Sequence, residues 1–174
     1  MIRLLRGELS EAPAEAIVRA MRSDGASITA VDRRLEARAG ADVADRVAAQ
    51  GDSPVGTAFL TPGGETEADF LIHLVVQSPE EPVGPQGLGR ALRNGLRRAA
   101  DFGIASVALA PLGTGAGQLP VEESARIVLG ILNEHRGREG TPGRFLLVAE
   151  SGYEAAAFRE AAAALSVVLS DEYD

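Results

Sequence analysis

The stretch Ala108-Leu-Ala-Pro-Leu-Gly-Thr-Gly-Ala-Gly-Gln-Leu-Pro120 runs from an apolar strand, through glycines at 113, 115 and 117, into a helix that starts near Pro120 or Val121. Glycine adopts left-handed backbone angles closed to other residues, so consecutive amides in such a turn can aim at one point. The positive end of the following helix adds to the field there. The pattern is that of an anion site that needs no basic side chain. It is neither the dinucleotide fingerprint Gly-x-Gly-x-x-Gly nor a P-loop ending in Gly-Lys-Ser/Thr. A turn of this kind also serves simply to close a strand-to-helix connection, and the local sequence leaves both readings open.

Around this turn the chain alternates between two periodicities. Short runs rich in Val, Leu and Ile at 2–5, 16–18, 56–60, 71–76, 107–110 and 145–148 read as strands, with 167–169 a possible last one. Helical patterns occupy 31–38, 41–50, 87–102, 121–134 and 153–165. In the third helix Leu88, Leu92, Leu96 and Ala99 form one face, and Arg90, Arg93, Asn94 and Arg97 the other. Strands alternating with helices require crossover connections, hence an α/β fold: a three-layer α/β/α sandwich around a mixed, mostly parallel sheet. In such sheets ligands collect beyond the carboxyl ends of the strands, where the 113–117 turn sits. Gly- and Pro-rich stretches at 61–66, 78–86 and 137–143 read as surface connections, and no linker or repeat divides the chain, so 1–174 is expected to be one domain.

Composition narrows the partners. With 174 residues and 45% hydrophobic content, the chain can bury a full core without staples, and it has no cysteine for thiol catalysis, zinc-thiolate sites or disulfides. The N-terminus lacks the pattern of an export signal, which leads to the expectation of a cytoplasmic protein. No apolar run is long enough for a membrane span. A net charge of -8 disfavours nucleic acid, whose binding rests on cationic groups displacing counterions, and 4% aromatic content leaves few stacking platforms. The cluster Arg90, Arg93, Arg97 and Arg98 reads as a solvated helix face. With two histidines, His73 and His135, far apart in sequence, neither a metal site nor a bound cofactor is expected, and His73 inside an apolar strand reads as structural.

Four segments occur in the order and at the intervals of one family: Gly7-Glu-Leu9, Glu15-Ala-Ile-Val18, Phe70-Leu-Ile-His-Leu-Val-Val76 and Ala110-Pro-Leu-Gly-Thr-Gly-Ala-Gly117. The chain resembles a macro domain over roughly residues 2–165, most closely in 106–125. The resemblance implies a domain that binds ADP-ribose, a nucleotide ligand met either free or on an ADP-ribosylated protein. Some members hydrolyse ADP-ribosyl or acetyl esters. It also implies a ligand lined by Glu8, Leu9, Arg19, Ile28 and Val31 from the first half, and by Pro111, Gly113, Thr114, Gly115, Ala116, Gly117, Ala149 and Tyr153 from the second.

The first half departs from the family pattern. Glu8 stands where the family's Asp accepts a hydrogen bond from the adenine amino group; the extra methylene keeps the acceptor but shifts it. Arg19 and Arg22 replace asparagines, the first of which orients the distal ribose and the attacking water in hydrolytic relatives, and a guanidinium donates but cannot accept. Ser27-Ile28-Thr29-Ala30 replaces a glycine run with bulkier, partly β-branched residues. Arg19 reads as lining the pocket, filling it or lying exposed; Arg22 reads equally as a guanidinium near the anion site or as a surface residue that pairs with Asp24 or Glu8. Asp32 aligns with an acid that acts as a base in some relatives. It reads either as the catalytic residue or as a first-turn carboxylate at a helix N-terminus. Tyr153 reads either as an aromatic against the base or as packing. The expected function is a nucleotide diphosphate binding module with little or no catalysis. The alternatives are a hydrolase using Asp32, and a closed scaffold plugged by Met21, Ile28 and Arg19 that serves protein contacts.

Overall fold

The computed structural model describes residues 1–136, 138 and 142–171; much of the loop expected at 137–143, and residues 172–174 of the expected single domain, lie outside them. The strands are β1 (Ile2–Arg6), β2 (Ala16–Arg22), β3 (Ala58–Pro62), β4 (Phe70–Gln77), β5 (Ser106–Leu109), β6 (Arg144–Ala149) and β7 (Ser170–Asp171). The helices are α1 (Ala30–Ala39), α2 (Ala41–Ala49), α3 (Pro85–Asp101), α4 (Val121–Arg136) and α5 (Gly152–Ala164), with a 3-10 turn at Leu9–Glu11. The strands form one sheet in the order β3-β4-β2-β5-β6-β1-β7. Every pairing is parallel except that of β3 at one edge, which runs antiparallel to β4. The expected three-layer α/β/α architecture is therefore present.

Side-chain alternation along the central strands assigns the layers. On β2, Ala16, Val18 and Ala20 join Ile72, Leu74 and Val76 of β4 in a core shared with α3, α4 and α5. Ile17 and Met21, with Leu71 and Val75, face the other way, into a smaller core closed by Leu35, Ala39, Val43 and Val47 of α1 and α2. Helix α3 buries Leu88, Leu92, Leu96 and Ala99 as its spacing predicts. It packs so closely that a Cβ on Gly95 would lie 2.7 Å from Leu74 Cδ2.

Several boundaries differ from expectation by one or two residues, β3 among them at 58–62 in place of 56–60, and two larger differences have a local cause. β2 continues four residues beyond the apolar run, because Arg19 is itself buried and paired with His73 in register. The last strand falls at 170–171 instead of 167–169: Ser166 turns left-handed (φ 54°) and the Val167 amide bonds back to Ala162 C=O at 2.9 Å, which ties 167 to the end of α5. No helix among the described residues is long and apolar enough to cross a membrane.

Candidate functional site at the strand carboxyl ends

The glycine turn leaves β5 as the sequence predicts. Gly113, Gly115 and Gly117 have φ of +67°, +120° and +74°, all in the region open to glycine. Two bonds fix the loop, Leu119 N–H to Gly113 C=O and Gln118 N–H to Gly115 C=O, each 3.1 Å. The buried Ser124 hydroxyl of α4 donates to Leu112 C=O at 2.6 Å and sets the approach to the turn. Among the described residues nothing accepts a hydrogen bond from the amides of Thr114, Ala116 or Gly117. Residues 115–117 are exposed and Thr114 is half-buried, whereas Pro111 and Gly113 are buried. The unclaimed donors thus lie in a partly exposed loop that leads into the start of α4.

Beside the turn, the carboxyl ends of β1 and β6 are joined by Gly7 N–H to Ala149 C=O at 3.2 Å. Glu8 follows β1 and Glu150 follows β6, and Arg34 from α1 bridges them: it forms a hydrogen-bonded ion pair with Glu150, and its Nε lies 3.8 Å from Glu8 Oε1. The hydrogen bond to Glu150 is the main reason the Arg34 guanidinium holds its proton even more firmly than usual. Glu8 Oε1 also accepts the Ser10 hydroxyl at 2.9 Å. The Glu150 amide donates to Glu154 Oε2 at 2.7 Å, and Ser151 caps the Glu154 amide, so the start of α5 is a closed capping arrangement. Tyr153 is exposed, and its hydroxyl donates to Glu122 of α4, which links the two helix starts. That bond lowers the Glu122 pKa and raises that of Tyr153.

Of the first-half candidates, Glu8 lies at this rim and the others lie elsewhere. Arg19 is 1% exposed and points into the smaller core. Its Nη2 donates to Gly25 C=O (2.8 Å), Ser27 Oγ (2.8 Å) and Glu36 Oε2 (3.1 Å), and its Nη1 reaches His73 Nδ1 at 3.4 Å. It fills space beneath β2, away from the solvent-facing rim. Because Arg19 only donates, His73 Nδ1 accepts; Nε2 therefore carries the proton and donates to Thr61 Oγ1 at 2.9 Å. Burial, and then the Arg19 charge, lower the His73 pKa to about 3. Leu9 is likewise a core residue, 1% exposed. Ile28 packs on the larger core and Val31 on the smaller one, while Arg22 pairs with Asp24 at 3.8 Å on the surface.

Asp32 occupies a capping box with Thr29, as its place in the first turn of a helix allows. Oδ2 accepts from the Thr29 hydroxyl (2.7 Å) and amide (3.2 Å), and Oδ1 accepts from the Ala20 amide (3.1 Å). At 4% exposure it is desolvated, and burial raises its pKa despite these bonds. Both oxygens are engaged in holding α1 to β2. The sequence reading singled out neither Arg34 nor Glu150. Arg34 is one of three arginines in α1, and Glu150 reads as a loop acid, so nothing local marks their convergence across more than a hundred residues.

The comparisons with known proteins agree with this architecture. A family model described as Macro domain matches residues 18–128. A macro domain-containing protein of Caldanaerobacter subterraneus subsp. tengcongensis is 28% identical over 165 residues, covering 88% of this chain and 91% of that protein. One from Cupriavidus necator is 29% identical over 141 residues, covering 76% of this chain and 80% of that protein. Among solved structures, an Oceanobacillus iheyensis macrodomain mutant with ADPR superposes with a TM-score of 0.82 at 20% identity, covering 94% of this chain and 92% of that one. A Trypanosoma brucei macrodomain in complex with ADP does so with a TM-score of 0.82 at 23% identity, covering 92% of this chain and 68% of that one. With the strand order, the glycine turn and the family match in agreement, the chain belongs to the macro domain family.

Proposed function

We propose that this macro domain is a binding module for ADP-ribose or a related nucleotide diphosphate, free or attached to protein, with little or no hydrolytic activity. The observation that carries the reading is the set of unclaimed amides at Thr114, Ala116 and Gly117 beside the start of α4. These are donors without a partner in a partly exposed loop, where a diphosphate can take them. In this reading Gly113–Gly117 holds the distal phosphate, and Glu8 accepts from the base with Arg34 beside it. Tyr153 flanks the base, and the buried Ala149 and Pro111 back the cleft. That solved macrodomains of the same fold carry ADPR and ADP supports this choice of ligand.

Weak or absent hydrolysis rests on two placements. Arg19 and Arg22 supply no amide to orient a water, and the Asp32 carboxylate is committed to Thr29 and Ala20. The buried network around Arg19 that pins Ser27 favours a second reading, a scaffold whose first-half cleft stays closed. Calorimetric titration with ADP-ribose, paired with a turnover assay on an ADP-ribosylated protein, separates these readings. Heat with micromolar affinity and no turnover supports the module. Turnover lost in Asp32→Asn replaces it with a hydrolase, and absence of heat replaces it with the scaffold.

A further inference from the structure

The Arg34 side chain is 45% exposed and stands between two strand ends. Its Nη2 donates to Glu150 Oε2, which follows β6, and its Nε lies 3.8 Å from Glu8 Oε1, which follows β1. The other arginines of α1 are held differently. Arg38 pairs with Glu11 at 3.5 Å, and Arg33 Nη1 reaches Ile28 C=O at 3.5 Å, just ahead of its own helix. An exposed ion pair adds little to stability, so tying α1 to the sheet does not account for a guanidinium set among Glu8, Glu150 and Glu154.

Both contacts are made to nitrogens at the edge of a planar group. Hydrogen bonds from a guanidinium lie close to its plane, so the two carboxylates orient that plane without using its faces. No aromatic ring among the described residues lies against either face. The apolar residues of this region are committed elsewhere: Leu9 and Ala149 are buried, and Ile28 and Val31 pack against the two cores. The planar group left exposed beside Glu8 is that of Arg34.

We propose that Arg34 is a base-contacting residue, whose clamped guanidinium stacks on the base of a purine nucleoside diphosphate while the amino group of that base donates to Glu8. The inference rests on the binding-module reading above and names the surface that holds the base. Guanidinium planes stack on aromatic faces, and the contact grows with overlap, which favours two-ring purines over pyrimidines. Glu8 and Glu150 hold the plane before the ligand arrives, so less rotamer freedom is lost on binding.

Calorimetric titration with ADP-ribose tests the role by comparing variants that share a charge, with circular dichroism confirming the fold of each. Arg34→Lys keeps the charge and loses the plane, and is expected to bind at least about threefold more weakly than wild type. Arg34→Phe and Arg34→Ala both lose the charge, and the phenyl plane is expected to recover at least about threefold over alanine. Pyrophosphate, which has no base, is competed against ADP-ribose and is expected to bind wild type and Arg34→Lys alike. Wild-type affinity in Arg34→Lys, an Arg34→Phe no tighter than Arg34→Ala, or an equal loss for pyrophosphate overturns the stacking role and leaves the binding module standing. Absence of ADP-ribose binding by the wild type overturns both.

Discussion

Arg19 and Glu36 form an ion pair at 3.1 Å between a guanidinium that is 1% exposed and a carboxylate that is 42% exposed. Ser27 joins them through a 2.5 Å bond from its hydroxyl to Glu36 Oε2, so the pair fastens the segment after β2 to helix α1. Removing one member of a buried pair costs more than replacing the buried charge by an apolar group of similar shape. Glu36→Ala leaves Arg19 charged and buried among neutral partners. It is expected to cost about 2–3 kcal/mol, below the full buried-pair figure because Glu36 is partly solvated. Arg19→Met returns Glu36 to water and costs less. Urea unfolding of both variants checks the order, and a larger loss for Arg19→Met contradicts it.

His73 gives the fold a pH dependence of known sign. Its folded pKa, about 3, lies below the ordinary 6.5, so on acidification the unfolded chain takes up the proton first. The stabilisation is complete above about 6.5 and is lost progressively as pH falls towards 3. Asp32, whose pKa is raised by burial, works in the opposite direction: its contribution is full below its ordinary 3.8 and declines as pH rises. Comparing wild type with His73→Gln cancels the Asp32 contribution. Unfolding midpoints between pH 7 and 4 should fall more steeply for the wild type. Parallel curves would show that His73 is not held neutral.

Arg34 stands between Glu8 and Glu150, with Glu154 near enough to add to its field. Arg34→Ala leaves three carboxylates clustered at the ends of β1 and β6, where the base is proposed to sit, and their uncompensated charge acts against a ligand that bears a diphosphate. ADP-ribose affinity measured by calorimetry should fall about tenfold, while stability changes by less than about 1 kcal/mol, as exposed ion pairs contribute little. Tighter binding in the variant would mean that Arg34 obstructs the site.

What the sequence made legible follows from how local each signal is. The glycines at 113, 115 and 117 sit beside the strand and helix they connect, and their positive φ angles could be read from residue type alone. The strand pattern and the buried stripe of α3 are equally local. The end of β2 was hidden because Arg19 reads as a polar residue that ends the apolar run, whereas Glu36, Ser27 and His73 supply it with partners from three other segments. Leu9, expected against a ligand, is core because the 3-10 turn at Leu9–Glu11 folds it under α1. The Arg34 bridge depends on three distant segments meeting at one rim, which no spacing records.

The glycine turn carries the functional reading, and Gly115 is the position at which to interrogate it. Its φ is +120°, yet a Cβ placed there meets nothing within 4 Å, so a substitution strains the backbone without crowding the core. At Gly113, by contrast, a Cβ would lie 2.7 Å from Val83 Cγ1, and loss of binding there would mix with loss of packing. Titration of wild type and Gly115→Val with ADP-ribose, with circular dichroism confirming the fold of each, should give micromolar binding in the first and none in the second. Equal affinity in both would contradict phosphate binding at this turn.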